Sequence, residues 1–175
     1  MPWMTKMSTS IRGRLCDVRP VTQVDKDAIL AVYRECEDFL ALGPQPKATM
    51  AMVLGDMGMS RKQGASFCGI HDAGGRMIGI VDFARGGFEG KPDIAYISLL
   101  MLASGRRGRG IGAEVVGLIE REIRKDPRVA MIRSAVQANN PGAQRFWLKH
   151  GSRIIGGPEL QPDGTTVFHL QKNCR

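Results

Sequence analysis

Residues 105–112 combine two residue types that favour anion binding, glycine and arginine. Their sequence, GRRGRGIG, holds four glycines and three arginines and follows the apolar run DIAYISLLML at residues 93–102. Glycines allow a sharp turn and let phosphate oxygens approach backbone N–H groups with no Cβ in the way. At a helix N-terminus these N–H groups lack intrahelical partners, and the helix dipole favours an anion. A strand, a glycine-rich turn and a helix in this order therefore predict a pyrophosphate site, to which Arg106, Arg107 and Arg109 add positive charge.

Three other interpretations of this segment fit its surroundings less well. A Walker-type loop requires a lysine after the last glycine, and the chain has none there. Gly108, Gly110 and Ala113 satisfy the dinucleotide motif G-x-G-x-x-G/A, but that motif normally occupies a first strand–helix turn and needs an acidic residue about 20 positions later. No acidic residue ends the next predicted strand, RVAMIRSAV at 128–136. A nucleic-acid patch would interleave arginine with aromatic residues, which make up only 6% of the chain and are absent from this turn.

Hydrophobic periodicity predicts the elements that must position the turn. The predicted order is strand 13–21, helices 25–42 and 48–59, strands 65–72, 76–85 and 93–102, a helix from Ile111 that ends before Pro127, strand 128–136, helix 140–151, and strands near 152–157 and 165–171. The nearly continuous apolar run at 93–102 predicts a central strand that is buried on both faces. About six or seven strands flanked by about four helices predict a mixed α/β sheet with helices on its faces.

Length and composition restrict the class of protein. The 175 residues, of which 43% are hydrophobic and 24% charged, predict one globular domain. The net charge of +8 favours anionic partners without choosing among them. Four scattered cysteines without a C-x-x-C pair indicate reduced thiols, and the first ten residues lack the apolar core of a signal peptide. No apolar segment approaches the roughly 20 residues that span a bilayer, so we expect a cytoplasmic protein with a flexible segment at residues 1–10.

Two motifs resemble the signatures of the GCN5-related N-acetyltransferase (GNAT) superfamily. RGRGIG at 107–112 fits the pattern R/Q-x-x-G-x-G/A, and NNPGAQRFWLKHG at 139–151 is similar to N-x-x-A-x-x-F-Y-x-x-x-G-F. The interval between the motifs and the order of strands and helices also resemble that family from about residue 13 to 171. The resemblance implies a mostly antiparallel sheet and a single acetyl-CoA-binding domain over residues 11–175. The implied reaction is acetyl transfer to an amine without a metal.

The resemblance also implies which residues hold acetyl-CoA. The backbone of one continuous segment would bind its pyrophosphate: Arg107, Gly108, Arg109, Gly110, Ile111, Gly112 and Ala113. In the family, the preceding strand splays at a bulge and pairs with the pantetheine arm in the manner of an added strand. This places further contacts at Leu100, Met101 and Leu102. Asn140 either faces the cosubstrate or only caps its helix, and Trp147 is either a core aromatic residue or a wall of the thioester pocket.

The chain departs from the family at both catalytic positions. Trp147 stands where many members have a tyrosine acid, and its indole does not titrate usefully. Ser98 stands where many have a glutamate. A lysine-like amine with a pKa of about 10.4 loses its proton at pH 7 only at a cost of roughly 4.6 kcal/mol, so a base is useful. We therefore predict catalytic roles for Tyr96, on the same strand face as Ser98, and for Asp82 on the adjacent strand, with Ser98 as a polar neighbour or water holder.

The sequence leaves the acceptor and the degree of activity open. The acidic residues Glu35, Glu37 and Asp38 could attract a cationic amine or form only a solvated helix face. The main hypothesis is an N-acetyltransferase that acts on a primary amine of a small molecule or peptide. The alternative is a catalytically weak acyl-CoA-binding sensor, which the missing tyrosine and glutamate suggest. Nucleic acid is not expected as a partner, no membrane association is expected, and a homodimer is conceivable.

Overall fold

An eight-stranded sheet forms the centre of the protein, and the computed structural model describes residues 7–174. The strands are β1 (Ile11–Arg12), β2 (Asp17–Pro20), β3 (Ser66–His71), β4 (Met77–Ala84), β5 (Ile94–Leu102), β6 (Met131–Gln137), β7 (Arg153–Leu160) and β8 (Thr166–Asn173). They lie in the order β1-β2-β3-β4-β5-β6-β8-β7, and only the neighbours β5 and β6 are parallel. The predicted mixed, mostly antiparallel sheet is confirmed. It has eight strands where about six or seven were expected, because β2 occupies the strand predicted at 13–21 and the short strand β1 precedes it.

Within residues 7–174, five α-helices cover the two faces of the sheet. They are α1 (Lys26–Arg34), α2 (Glu37–Leu40), α3 (Met50–Lys62), α4 (Ile111–Ile123) and α5 (Pro141–Lys149). On one face α1 packs against β4 and α3 against β3, while α4 and α5 contact β5, β6 and β7. The helix predicted over 25–42 is interrupted at Cys36, whose backbone leaves helical geometry at φ −114° and ψ 17°. Apolar spacing continues across this break, so periodicity could not indicate it.

Strand β5 contains a bulge that opens the middle of the sheet. Asp82 and Phe83, which are adjacent in β4, pair with Leu99 and Ile97, so Ser98 is an extra residue in β5. The parallel pairing of β5 with β6 ends at Ile97 within the described part of the chain. Beyond this point the two strands diverge, as the family resemblance implies. The prediction that the whole 93–102 run is buried on both faces is wrong, because the bulge exposes Ser98.

The direction of the β5 backbone follows from one hydrogen bond. The Ala103 N–H donates to the Ile78 carbonyl on the β4 side at 2.9 Å. Since backbone groups alternate in direction along an antiparallel strand, Met101 faces β4 with its backbone, whereas Leu100 and Leu102 turn theirs into the gap toward β6. The diverging strands therefore leave a row of main-chain donors and acceptors along the gap.

The first described residue is packed against the core. Met7 is buried, and its N–H donates to the Ser66 side chain at 2.9 Å. Residues 1–6 of the predicted flexible segment 1–10 lie outside the described residues. Across residues 7–174, no helix has both the length and the apolar character that crossing a membrane would require.

All four cysteines are buried, and each is a thiol rather than half of a disulfide. Burial is the main cause of a raised pKa in three of them, which reaches about 12 for Cys16, about 11 for Cys36 and about 12 for Cys68. These side chains, with Cys174, belong to the two apolar clusters that fill the faces of the sheet.

Candidate active site

The glycine-rich turn between β5 and α4 presents a run of backbone donors. Gly108 and Gly110 have φ of +73° and +81°, a left-handed conformation that glycine adopts without a Cβ penalty, and Gly110 is the N-cap residue of α4. Within residues 7–174, none of the six N–H groups from Gly108 to Ala113 donates to a protein acceptor, whereas the next one, of Glu114, donates to the Gly110 carbonyl at 3.0 Å. The geometry is therefore that of an anion site at a helix N-terminus.

Gly112 sets how closely α4 approaches α5. A Cβ at Gly112 would lie 3.3 Å from the ring of Phe146, which is tighter than most such contacts. Ile111, beside it, is buried in the core under the sheet. The two family motifs therefore meet in space, since Phe146 belongs to the second one.

Glu114 fastens the start of α4 to the loop between β1 and β2. Its carboxylate accepts hydrogen bonds from the N–H groups of Arg14, Leu15 and Cys16 at 2.7–3.0 Å. Partial desolvation raises the pKa of Glu114, but these donors outweigh it and the net pKa is lowered. The carboxylate thereby stabilises the first turn of the helix that carries the six free N–H groups.

We expect Glu114→Gln to lower the free energy of unfolding by about 1–3 kcal/mol at pH 7, the usual value for hydrogen bonds to a charged group. Because the folded-state pKa is lowered, this stabilisation is present above the unfolded-state pKa near 4.5 and is lost as the pH falls through the folded-state value. Urea unfolding of both proteins between pH 7 and pH 3 measures the difference. Arg121→Gln, an exposed change on the same helix, should cost less than about 0.5 kcal/mol. A stability gap that stays constant down to pH 3 would contradict the role of the charge.

A cleft of about 630 Å³ runs from the glycine turn along the gap beside β5. Most of its walls come from the residues that the family resemblance implies: Leu100, Met101, Leu102, Arg107, Gly108, Gly110, Gly112, Ala113, Asn140 and Trp147. Asn140 also caps α5, because its side chain accepts from the Ala143 N–H at 3.0 Å. Trp147 both lines the cleft and packs against the core. For these two residues, the geometry is therefore compatible with both the structural and the site interpretation. The cleft joins both motifs in one continuous groove.

Two of the three arginine side chains of the turn form ion pairs within the protein. This corrects the expectation from sequence that all three add free positive charge to the pyrophosphate site. The Arg107 guanidinium forms a two-pronged ion pair with Asp38 of α2, and its Nε donates to the Leu102 carbonyl at 2.8 Å. Arg106 pairs with Asp72 at 3.0 Å. Arg109 forms no ion pair with any residue between 7 and 174. An anion in the cleft would thus compete with Asp38 for Arg107.

We expect Asp38→Asn to tighten acetyl-CoA binding about 3- to 10-fold, because a partly exposed ion pair is worth about 1 kcal/mol and its loss frees Arg107 for the diphosphate. Isothermal titration calorimetry with acetyl-CoA at low and moderate salt measures the affinity. Glu35→Gln is the matched control, because Glu35 pairs with Arg76 outside the cleft and should leave the affinity unchanged. Weaker binding by the Asp38 variant would instead mean that the ion pair preorganises the turn.

The acidic residues Glu35, Glu37 and Asp38, at the end of α1 and in α2, are all paired with basic side chains. Glu35 pairs with Arg76 at 2.6 Å, Glu37 with Lys47 at 2.7 Å, and Asp38 with Arg107. These carboxylates are therefore committed to structural ion pairs, and they do not form a free negative surface for a cationic acceptor.

Two of the three predicted catalytic residues are in direct contact at the bulge. The exposed Ser98 hydroxyl donates to Asp82 Oδ2 at 2.6 Å. Asp82 is 6% exposed, and burial raises the pKa of its carboxyl group, although the hydrogen bonds from Ser60 and Ser98 oppose the shift. A carboxyl group with a raised pKa behind an exposed hydroxyl can accept a proton through that hydroxyl.

The third predicted residue, Tyr96, is not part of this hydrogen-bonded group. Its ring stacks on Phe88 with centroids 4.0 Å apart. Burial, followed by the charge of Glu89, raises the pKa of its hydroxyl, which forms no hydrogen bond with another described residue. Tyr96 therefore forms an apolar wall on the Ser98 face of β5.

Sequence reasoning missed Ser60, Asp56 and Tyr33, which surround Asp82 from the helix side. The Ser60 hydroxyl donates to Asp82 Oδ1 at 2.6 Å, and the Tyr33 hydroxyl donates to Asp56 Oδ2 at 2.7 Å. The available signal was the spacing of Asp56 and Ser60 in a methionine-rich helix, because residues four apart share one face.

Comparisons with known proteins agree with this geometry. A family model described as the acetyltransferase (GNAT) family matches residues 28–151. No curated protein matches the sequence. An acetyltransferase from Thermus thermophilus has a TM-score of 0.75 at 22% identity, over 91% of this chain and 97% of that one. AAC(6')-Ib in complex with ribostamycin and coenzyme A has a TM-score of 0.74 at 18% identity, over 91% and 94%.

A third solved structure concerns a protein acceptor. It is a Salmonella typhimurium acetyltransferase that modifies the N-terminal serine of ribosomal protein L7/L12, with a TM-score of 0.74 at 14% identity over 94% of this chain and 99% of that one. With a family model that spans most of its length, the chain belongs to the acetyltransferase (GNAT) family. The prediction of an acyl-CoA-dependent acetyltransferase is thereby confirmed for the enzyme class.

Proposed function

We propose that this protein transfers the acetyl group of acetyl-CoA directly to a primary amine of a small molecule or peptide. The observation that carries the proposal is the groove that begins at the free N–H groups of residues 108–113, follows the gap beside β5 and leads toward the bulge at Ser98. Phosphate binding and an added-strand contact each require one part of this groove, and proton removal requires the bulge toward which it leads.

The binding mode follows from the backbone. The N–H groups of residues 108–113 hold the diphosphate, since they converge at the positive end of α4. The outward backbone groups of Leu100 hold the pantetheine arm as an added strand would be held. Leu102 can share in this contact once its carbonyl is released by Arg107. Asn140 and Trp147 form the opposite wall.

Ser98 and Asp82 remove the proton of the acceptor amine. Acetyl-CoA supplies the acetyl thioester, and its thiolate, with a pKa of about 8.5 by analogy with cysteine, leaves without a strong acid. The absence of the family tyrosine at Trp147 is therefore less costly than the absence of a base. Ser98 is accessible and Asp82 is not, so the hydroxyl contacts the amine and the carboxylate lies behind it.

The test is release of coenzyme A with a panel of amines, measured by chromatography alongside the acetylated product. The panel contains ribostamycin and a peptide with an N-terminal serine, both named with the similar structures above, together with simple primary amines. Sustained release that depends on one amine supports the proposal. Tight acetyl-CoA binding without turnover on any amine would favour an acyl-CoA sensor, the alternative that Trp147 and Ser98 suggest.

A further inference from the structure

The Asp82 carboxylate is buried behind the bulge with no cation beside it. Within residues 7–174 it forms no ion pair with lysine or arginine. Arg85, which follows β4, instead pairs with Glu122 of α4 at 2.5 Å. The side-chain partners of Asp82 are two hydroxyl groups, those of Ser60 and Ser98.

This arrangement is costly for the fold. Burial without a counter-ion disfavours the charged form of a carboxyl group, and burial is the largest cause of the raised pKa of Asp82. The titratable groups that face Asp82 are Tyr33 from α1, Asp56 from α3 and Cys68 from β3. A buried acid with a raised pKa beside an accessible hydroxyl is a candidate for proton chemistry.

The two oxygens of Asp82 have different surroundings. Ser60, which is 2% exposed, holds Oδ1 from the closed side, and Ser98 contacts Oδ2 from the open side. Helix α3 thus presents a fixed donor to the one carboxylate that touches the bulge.

We propose that Ser60 is a positioning residue for amine deprotonation: its hydroxyl orients Asp82 toward Ser98. This inference rests on the function proposed above. In the step, the amine N–H proton moves to Ser98 Oγ while the Ser98 hydroxyl proton moves to Asp82 Oδ2. The amine becomes neutral, Asp82 becomes a neutral acid, and Ser98 is unchanged. After the product leaves, the proton returns along the same path to solvent.

The experiment compares Ser60→Ala and Ser60→Thr with the wild type, by kcat, KM and pH profiles of acetyl transfer. We expect Ser60→Ala to lower kcat about 10- to 50-fold with an unchanged KM for acetyl-CoA, and Ser60→Thr to recover activity to within about 3-fold, because its hydroxyl keeps the hydrogen bond. The Ser60 hydrogen bond lowers the pKa of Asp82, so its loss in Ser60→Ala should also move the acidic limb of kcat/KM to higher pH.

Calorimetry with acetyl-CoA checks that each variant is folded, since the glycine turn is remote from α3. If Ser60→Ala does not fold, the Ser60→Thr result decides. Equal loss of kcat in the alanine and threonine variants, or a Ser60→Ala pH profile that superimposes on that of the wild type, would overturn the inference and leave a structural role. A wild type that acetylates no amine would instead refute the proposed function, so the two failures are distinguishable.

Discussion

Gly110→Val is expected to weaken acetyl-CoA binding by about 100-fold or more. Gly110 has φ of +81° at the N-cap of α4, and a β-branched residue is strained by about 1–3 kcal/mol in this region. The chain can relieve the strain only by rotating the turn, and the N–H groups of residues 108–113 would then no longer converge on one anion. The strain and the lost hydrogen bonds therefore both weaken binding at the diphosphate site. Isothermal titration calorimetry with acetyl-CoA measures the effect.

Gly117→Ala is the matched control for this prediction. Gly117 lies on the same helix, and a Cβ there would meet no atom within 4 Å. Alanine should therefore stabilise the helix by up to about 1 kcal/mol and leave the affinity unchanged. Thermal unfolding of both variants separates a local effect from loss of the fold. A folded Gly110→Val protein with wild-type affinity would mean that the diphosphate lies elsewhere.

Asp82→Asn is expected to lower kcat/KM about 100- to 1000-fold, within the range that a positioned base contributes. Acetyl-CoA affinity should stay constant, because Asp82 is not part of the cleft wall. The profile of kcat/KM between pH 5 and pH 9 should also lose its acidic limb, which the protonation of Asp82 produces in the wild type. These three readouts together separate proton transfer from binding.

The same substitution should leave stability at pH 7 unchanged or increased. Burial raises the folded-state pKa of Asp82 above its unfolded value, so the folded state loses stability as the pH rises through these values. Asparagine removes that loss. Asp27→Asn, an exposed change on α1, is the control and should alter neither rate nor stability measurably. Full activity of the Asp82 variant would remove this residue from the mechanism.

The parts of the site that sequence could predict are those set by local structure. The turn at 105–112 was predictable because glycine conformation and helix-end donors depend on adjacent residues. The described structure shows two left-handed glycines there and N–H groups without protein acceptors. Asn140 was predictable as a cap for the same reason, since Asn-Pro at the start of an apolar helix is a local signal.

The parts that sequence could not predict depend on distant pairs. Arg107 and Asp38 are 69 residues apart, and no local pattern couples them. Ser60 meets Asp82 only because α3 packs over the sheet, and the bulge at Ser98 appears only in the register of β4 against β5. The interruption at Cys36 was hidden because the buried positions on both sides keep helical spacing.

The burial of every cysteine makes a simple assay practical. A chromogenic disulfide reagent reacts only when a thiolate attacks it. The thiols of Cys16, Cys36 and Cys68 combine raised pKa values with almost no accessible surface. The folded enzyme should therefore consume little reagent, so colour would report the coenzyme product alone. Turnover could be followed continuously, without removal of the protein, at enzyme concentrations comparable to those of the thiol being detected.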